Sequence, residues 1–153
     1  MISLIFAFFI GVMGCDSGTP TQSAQGSAAA DITAVSVSGP TGNYTFRVTI
    51  SSPDTGCDQY ADWWEVLDED GGLVYRRILA HSHVNEQPFT RQGGTVRIDQ
   101  SDNVWIRAHM NNSGYGGVTF YGTPLGGFEA KEMPEGFGAN VEKESPQPTG
   151  CAF

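Results

Sequence analysis

The strongest constraint on the fold of this chain is an alternation of apolar and polar residues. In the segment NYTFRVTIS, the apolar Tyr44, Phe46, Val48 and Ile50 alternate with Thr, Arg and Ser. Successive side chains of a β-strand point to opposite faces, so this pattern predicts a strand with one buried and one exposed face. Similar short segments follow, separated by turns rich in Gly, Pro, Asn and Asp. The sequence therefore predicts an antiparallel all-β sandwich or barrel.

The segments YADWWEVLD and GLVYRRILA form the clearest hairpin, because the EDGG between them contains Asp70-Gly71, a pair typical of tight hairpin turns. We predict a second hairpin between TVRID and NVWIRAHM, across QSDN, and at most one helical turn around Pro134. About seven strands in a domain of this length resemble an immunoglobulin-like or fibronectin-like domain, which implies a β-sandwich. The remaining predicted strands are ITAVSVSG, NYTFRVTIS and VTFYG.

The amino-terminal residues predict export. The apolar run ISLIFAFFIG is too short to span a bilayer but suits the core of a signal peptide. It is followed by VMGC, in which Val12, Met13 and Gly14 precede Cys15. This resembles the lipobox of bacterial lipoproteins, which implies that residues 1–14 are a cleaved signal peptide and that Cys15 is lipidated. The protein would then be anchored to a bacterial membrane on its periplasmic or cell-surface side. The alternative is an ordinary secretory signal with an incidental cysteine.

The composition of the next segment predicts a flexible tether. Residues 16–30 contain no aromatic and no large aliphatic side chain, so they cannot bury enough surface to fold. We therefore assign 15–30 to the lipidated cysteine and tether, and 31–153 to the β-sandwich domain with a C-terminal tail. Because an exported protein experiences an oxidising compartment, Cys57 and Cys151 are expected to form a disulfide. Two free thiols are the alternative.

The charges exclude one class of partner. The formal net charge is −9, which argues against binding to nucleic acid. Seven acidic residues lie between Asp54 and Asp70, as a solvated rim or a cation-attracting edge. The arginines could grip a carboxylate or sulfate, but pairing with the acidic residues around Asp62 and Glu65 is favoured. These arginines are Arg76, Arg77, Arg91 and Arg107.

The three histidines define a candidate metal site. His81 and His83 are two residues apart, so on a strand both would face the same side and could bind one copper or zinc ion. His109 is the expected third ligand, with Glu86 or Met110 as a fourth. The apolar alternation of NVWIRAHM places His109 on the outward face of its strand, together with Trp105 and Arg107. The alternative is that the histidines are structural or lie singly on the surface.

The aromatic residues suggest a second kind of site. Trp63 and Trp64 are neighbours on a strand and face opposite ways. The outward tryptophan, with Trp105 and Tyr115, could form a surface that stacks on sugar rings or contacts a protein partner. The alternative is that both tryptophans pack, one of them beneath the tail.

The sequence contains no recognisable catalytic motif, so we do not expect an enzyme. We expect a lipid-anchored cell-envelope protein with a binding or structural interaction role and no resident cofactor. Its partners would be the membrane, through the anchor, and an unidentified protein or glycan. A copper- or zinc-binding protein and a glycan-binding module are the alternatives.

Overall fold

A computed structural model describes residues 28–152; the predictions for residues 1–14, Cys15 and 16–27 lie outside this range. The described part contains eight β-strands and one 3-10 helix, Ala139–Lys143. The strands are β1 Asp31–Ser38, β2 Tyr44–Ser51, β3 Ala61–Leu67, β4 Leu73–Ile78, β5 Phe89–Val96, β6 Val104–Met110, β7 Phe120–Thr123 and β8 Gly127–Ala130. The number of strands thus exceeds the predicted seven by one, because β8 was not predicted.

The strands form two antiparallel sheets. One sheet has three strands in the order β1-β2-β5, and the other has five in the order β4-β3-β6-β7-β8. Every strand pairing is antiparallel. The predicted hairpin around Asp70-Gly71 is confirmed, since it joins β3 to β4. The prediction of an all-β antiparallel β-sandwich is confirmed.

The core lies between the two sheets and follows the alternation of the sequence. The apolar residues of β2 all point inward, and Phe46, Val48 and Ile50 are completely buried. The five-stranded sheet contributes Trp64 and Ile106, among others, to the same cluster. Full burial of each such side chain stabilises the fold by about 1.5–3 kcal/mol relative to exposure. Ala30, predicted as the last residue of the tether, also lies in this core, so the folded domain begins before residue 31.

The predicted hairpin between TVRID and NVWIRAHM is wrong. β5 ends at Val96 and pairs with β2, whereas β6 pairs with β3 and β7 in the other sheet. The turn itself exists, because the backbone N–H of Asp99 donates to the Asp102 carboxylate at 2.8 Å. It lies in a segment that crosses between the sheets. Turn residues report a local reversal of the chain, and they do not determine which strands pair.

The C-terminal residues contain little regular structure. The single helical turn that the sequence permitted is the 3-10 helix. No helix among residues 28–152 has the length and apolar character needed to cross a membrane. The disulfide between Cys57 and Cys151 is confirmed, with Cα atoms 5.6 Å apart. It fastens the end of the chain to the segment that precedes β3.

Candidate functional site

The outward face of the five-stranded sheet is covered by the C-terminal segment, defined here as residues 131–152. Every residue of β3 and β6 is buried, including those that point away from the core. Val141 of the 3-10 helix is completely buried and packs with Leu67 and Trp105. Met133 and Phe137 pack against the same cluster. The face that alternation predicted to be wet is therefore an interior surface.

A cluster of three charged residues, named here the Glu65 cluster, lies at the centre of this covered face. It consists of Glu65 on β3 with Arg76 on β4 and Arg107 on β6, and the strand register places both arginines directly opposite Glu65. Arg76 Nε and Arg107 Nε donate to the two carboxylate oxygens, each at 2.8 Å. All three side chains are at least 95% buried. The predicted pairing of arginines with the acidic segment is confirmed for Arg76 and Arg107, whereas Arg91 pairs with Glu86.

The remaining donors of the two arginines hold the C-terminal segment. Arg76 and Arg107 each direct their terminal nitrogens at backbone carbonyls of the turns and the 3-10 helix of this segment. An Arg guanidinium presents several donors in a fixed fork, so one side chain can bind a carboxylate and neighbouring carbonyls together. The accepting carbonyls, at 2.6–3.1 Å, belong to Phe137, Gly138, Val141, Glu144 and Pro146.

The aromatic residues predicted as an exposed surface are covered as well. Trp63 is 3% exposed and Trp105 is 6% exposed, while Trp64 lies in the core at 0%. Arg76 lies over the Trp63 ring, 4.5 Å from its centre. The expected exposure of the outward tryptophan and of Trp105 is therefore wrong, and both Trp63 and Trp64 pack, as in the alternative. Phe137 and Val141 of the C-terminal segment pack on Trp105, whereas His109 and Tyr115 pack on Trp63. Tyr115 is half-buried under Arg107, whose guanidinium lies 3.6 Å from the ring centre.

His109 also belongs to the covered face, as its position on β6 predicted. Its Nδ1 lies 2.6 Å from a carboxylate oxygen of Asp62, which accepts the Nδ1 proton. The ring stacks on Trp63 with centres 3.6 Å apart. Tyr115 packs against the edge of the pair, and burial followed by the charge of Glu65 raises the pKa of its hydroxyl well above the usual value. His109 is thus held as a structural element of this face.

His81 and His83 occupy a different place. β4 ends at Ile78, so both histidines lie in the loop between β4 and β5 and not on a strand. Their rings nevertheless face each other, with centres 4.6 Å apart. His109 does not join them, and within residues 28–152 no group of three or more His, Cys, Asp or Glu side chains is arranged to hold a metal ion. The predicted three-histidine centre is not assembled. Glu86 is paired with Arg91 at 2.8 Å.

An open cleft runs along the edge of the C-terminal segment. It has a volume of about 990 Å³ and separates residues 115–119 from residues 130–139. Arg107 has two roles, because it lines this cleft and also holds the segment that forms one wall. The lining combines apolar side chains with charged groups of both signs, and it includes Asp31, Arg107, Tyr115, Val118, Lys131, Glu132, Met133, Glu135 and Phe137.

Sequence reasoning overlooked the residues that form this wall. Met133, Phe137 and Val141 are spaced four apart in a segment otherwise rich in polar residues and glycine. A spacing of four predicts an amphipathic α-helix, but the segment contains only the 3-10 helix Ala139–Lys143, so the spacing identifies the side chains that pack and not the local structure. Lys131 was also missed; its ammonium lies 3.8 Å from the centre of the Tyr121 ring. Alternation thus predicted the outward residues of β6, left open which tryptophan of β3 points outward, and gave no indication of what covers them.

Comparison with known proteins gives one relative. A protein from Halomicrobium mukohataei, named "Putative lipoprotein", is 41% identical to the chain over 73 residues. The match covers 47% of the chain and 35% of that protein, so the chain spans about a third of the length of the relative it matches. No protein-family model matches the chain. No solved structure matches it either.

Proposed function

We propose that the chain is an exported lipoprotein whose β-sandwich domain binds a small, largely apolar ligand in the cleft beside the C-terminal segment. The proposal of a lipid anchor is supported by the resemblance of VMGC to a lipobox and by the relative that carries the name of a lipoprotein. The disulfide between Cys57 and Cys151 is what an oxidising, extracytoplasmic compartment favours.

The observation that carries the binding role is the cleft itself. Its volume of about 990 Å³ lies at the upper end of the range of small-molecule sites. Such sites combine an apolar lining with a few polar groups that orient the ligand. Here Met133 and Phe137 supply apolar surface, and Arg107 with Tyr115 supplies a cation and a ring that are already fixed by the Glu65 cluster. A ligand would therefore meet a pre-ordered wall.

The anchor is tested with Cys15→Ser in the full-length chain. We expect the wild-type protein in the membrane fraction and the variant in the soluble fraction, because the lipid is attached through the cysteine sulfur. Asp16→Asn, which leaves the cysteine in place, is the matched control and should remain with the membrane. An unchanged membrane fraction for Cys15→Ser would contradict the lipoprotein assignment without bearing on the cleft.

The cleft is tested by NMR screening of ¹⁵N-labelled protein against a library of small, largely apolar molecules. We expect chemical-shift changes concentrated in residues 115–119 and 131–137. Val118, which is 46% exposed and lines the cleft, is replaced by Trp to fill it. Leu125→Trp adds the same side chain at an exposed position outside the cleft and should bind as the wild type does. Shift changes that are absent, or insensitive to Val118→Trp, would refute the binding role.

A further inference from the structure

One end of the sandwich is the place where the folded part of the chain begins. β1 starts at Asp31, β2 ends at Ser51 and β5 starts at Phe89, and the strand register places these residues beside one another. The Ser113 hydroxyl donates to the carbonyl of Ala28 at 2.7 Å, which adds the loop after β6 to the same end. This end is named here the proximal end, and it consists of residues 28–31, 52–60, 79–88 and 111–118.

The proximal end is also the end from which the chain leads back to the proposed lipid anchor. The backbone N–H of Ile32 donates to the carbonyl of Val118 at 2.9 Å, and the N–H of Val118 donates to the Asp31 carboxylate at 2.8 Å, so the start of the domain is fixed. A fully extended chain from Cys15 to Ala28 spans at most about 45 Å. This length permits the domain to touch the bilayer, and the surface chemistry of its two ends decides which end does so.

The opposite end, named here the distal end, is acidic. It consists of the loops at residues 39–43, 68–72, 97–103 and 124–126, and Arg97 is the basic residue among them. A bilayer that contains anionic lipids has a negative surface potential, so it repels this end. Within residues 28–152 none of the acidic side chains of the distal end forms an ion pair. These acidic residues are Asp68, Glu69, Asp70, Asp99 and Asp102.

The proximal end presents much less negative charge to solvent. The loop after β6 contains no charged residue. The Asp54 side chain is completely buried and accepts backbone N–H groups, and Glu86 is paired with Arg91 at 2.8 Å. Asp31 and Asp58 are the other acidic residues of this end. An anionic bilayer surface therefore repels the proximal end less than the distal end.

The proximal end also carries exposed apolar side chains. Among residues 28–152 three large apolar side chains are exposed, and two of them, Val84 and Val118, lie at this end. Each contributes about 1 kcal/mol when it leaves water. That is weak for a free domain, but an anchored domain meets the bilayer at an effective concentration in the millimolar range. The third exposed side chain, Leu125, lies at the distal end beside the acidic turn, because its N–H donates to the Gln100 carbonyl.

We propose that the proximal end is a membrane-contacting surface, which lies against the head groups of the bilayer that holds the anchor and directs the acidic distal end away from it. The proposal rests on the proposed lipid anchor and adds an orientation to it. Val84 and Val118 enter the head-group region, and the repulsion of the distal end opposes the inverted orientation. Because Asp31 and Val118 also line the cleft, this orientation places one end of the cleft beside the bilayer.

The experiment places the ¹⁵N-labelled chain, in its lipidated form, in nanodiscs of phosphatidylcholine and phosphatidylglycerol that contain a lipid with a gadolinium chelate on its head group. Gadolinium broadens the NMR signals of nearby amides beyond detection. We expect the amide signals of residues 81–86 and 111–118 to be lost. The signals of residues 68–72 and 99–102 should be retained.

Charged substitutions at the two ends test the contact itself. Val84→Asp and Val118→Asp, measured separately, should each restore signals of the proximal end, because an anionic head-group region repels the added carboxylate. Leu125→Asp makes the same kind of change at the distal end and is the matched control, so it should leave the wild-type pattern unchanged. All three positions are exposed, and thermal unfolding checks that each variant folds. If one proximal variant fails to fold, the other decides the question.

Three outcomes would overturn the orientation. They are equal broadening at both ends, broadening of the distal end alone, and a wild-type pattern in the folded proximal variants. A wild-type chain that does not enter the nanodiscs would contradict the lipid anchor, and the orientation would fail with it. A chain that enters them but broadens equally at both ends refutes the orientation and leaves the anchor intact. Ligand binding in the cleft is decided separately by the library screen.

Discussion

The two faces of the five-stranded sheet are built from alternate residues of the same strands, yet they are buried in different ways. The inner face presents Trp64, Val66 and Ile106 to the other sheet, and all three are completely buried. The outer face presents Glu65 and Arg107, which are buried almost as deeply. Equal burial therefore does not mean equal chemistry: apolar contacts hold the inner face, whereas the outer face adds charged hydrogen bonds to the apolar cluster of Leu67, Trp105 and Val141.

The two faces differ in how strongly their contacts depend on orientation. Apolar burial is nearly independent of orientation, so the inner face accepts any well-packed partner. The outer face binds the C-terminal segment through donors at fixed angles, and each carbonyl must lie where a guanidinium points. A charged cluster of this kind adds little net stability compared with apolar residues of the same size, but it specifies how the covering segment docks. The wall of the cleft therefore depends on the Glu65 cluster.

The largest effect is expected when that cluster loses its anion. Glu65→Gln leaves Arg76 and Arg107 buried beside each other without the carboxylate between them. Removing one partner of a buried ion pair destabilises a protein by about 3–5 kcal/mol, and we expect a decrease of that size in the free energy of unfolding measured with urea. Glu69→Gln is the matched control. Glu69 is exposed and accepts a hydrogen bond from Tyr121 that glutamine can also accept.

Glu65→Gln should loosen the C-terminal segment more than the rest of the domain. Backbone amides of residues 137–146 should exchange with deuterium faster in Glu65→Gln, because the arginines no longer hold a fixed geometry towards the accepting carbonyls. Amides of β2 should be affected only through global unfolding. Uniform acceleration over both faces, or a loss of less than about 1 kcal/mol, would show that the cluster is not what holds the segment.

The disulfide attaches the C-terminal segment to the domain covalently. Replacing both Cys57 and Cys151 by Ser should lower the free energy of unfolding by about 2–4 kcal/mol, because the cross-link restricts the unfolded chain. A variant that carries both changes should lose an amount of unfolding free energy that differs from the sum of the two separate losses, because both changes act on the C-terminal segment. A double variant whose loss equals the sum would indicate that the two fasteners act independently.

The contrast between the faces also explains what the sequence revealed. The alternation of Phe46, Val48 and Ile50 predicted a strand correctly because one local period decides which side is apolar. The outward direction of Trp105, Arg107 and His109 was predicted by the same rule. What lies over an outward residue is a non-local fact, and alternation carries no information about it. The outward tryptophan and Trp105 were therefore predicted as an exposed surface although both Trp63 and Trp105 are buried.

The pairing of β5 and the conformation of the loop after β4 were not predicted for a related reason. β5 contains Gly93 and Gly94, which resemble a turn in sequence, yet both lie within the strand. Gly93 faces the ring of Tyr75, and a larger residue would collide with it. His81 and His83 were predicted on a strand because the apolar pattern continues to Leu79. The strand ends one residue earlier, so the conformation of the loop, and not the alternation of a strand, brings the two rings together.

The two buried histidines, His109 and His83, also differ in how their side chains are held. Nδ1 of His109 is hydrogen-bonded to the Asp62 carboxylate at 2.6 Å, whereas His83 stacks on Phe89 and its Nδ1 lies 3.8 Å from the Asp54 carboxylate, too far for a hydrogen bond. Burial, reinforced by the charges of Arg91 and His81 and opposed by Asp54 and Glu86, lowers the pKa of His83 from 6.5 to about 4. The unfolded chain therefore binds more protons than the folded protein between these pH values.

Stability should consequently depend on His83 over a defined pH window. Its contribution is complete above about pH 6.5, falls as the pH decreases, and becomes constant below about pH 4. We expect the wild type to lose about 2–3 kcal/mol more than His83→Phe between pH 7.5 and 4, with EDTA present to exclude metal binding. His81→Gln, which removes one of the charges that lower the pKa of His83, should lose slightly less than the wild type over the same range. Parallel curves for wild type and His83→Phe would contradict the assignment.

The smallest effect is expected on the inner face, and it tests whether the two faces are independent. Ile106 is completely buried and immediately precedes Arg107 on β6. Ile106→Val removes one carbon from the core and should lower the free energy of unfolding by about 0.5–1.5 kcal/mol. Because the charged face does not change, deuterium exchange in residues 137–146 should match the wild type after correction for global stability. If Ile106→Val exposes these amides as Glu65→Gln does, docking of the C-terminal segment depends on the packing of the core, and the Glu65 cluster does not specify it alone.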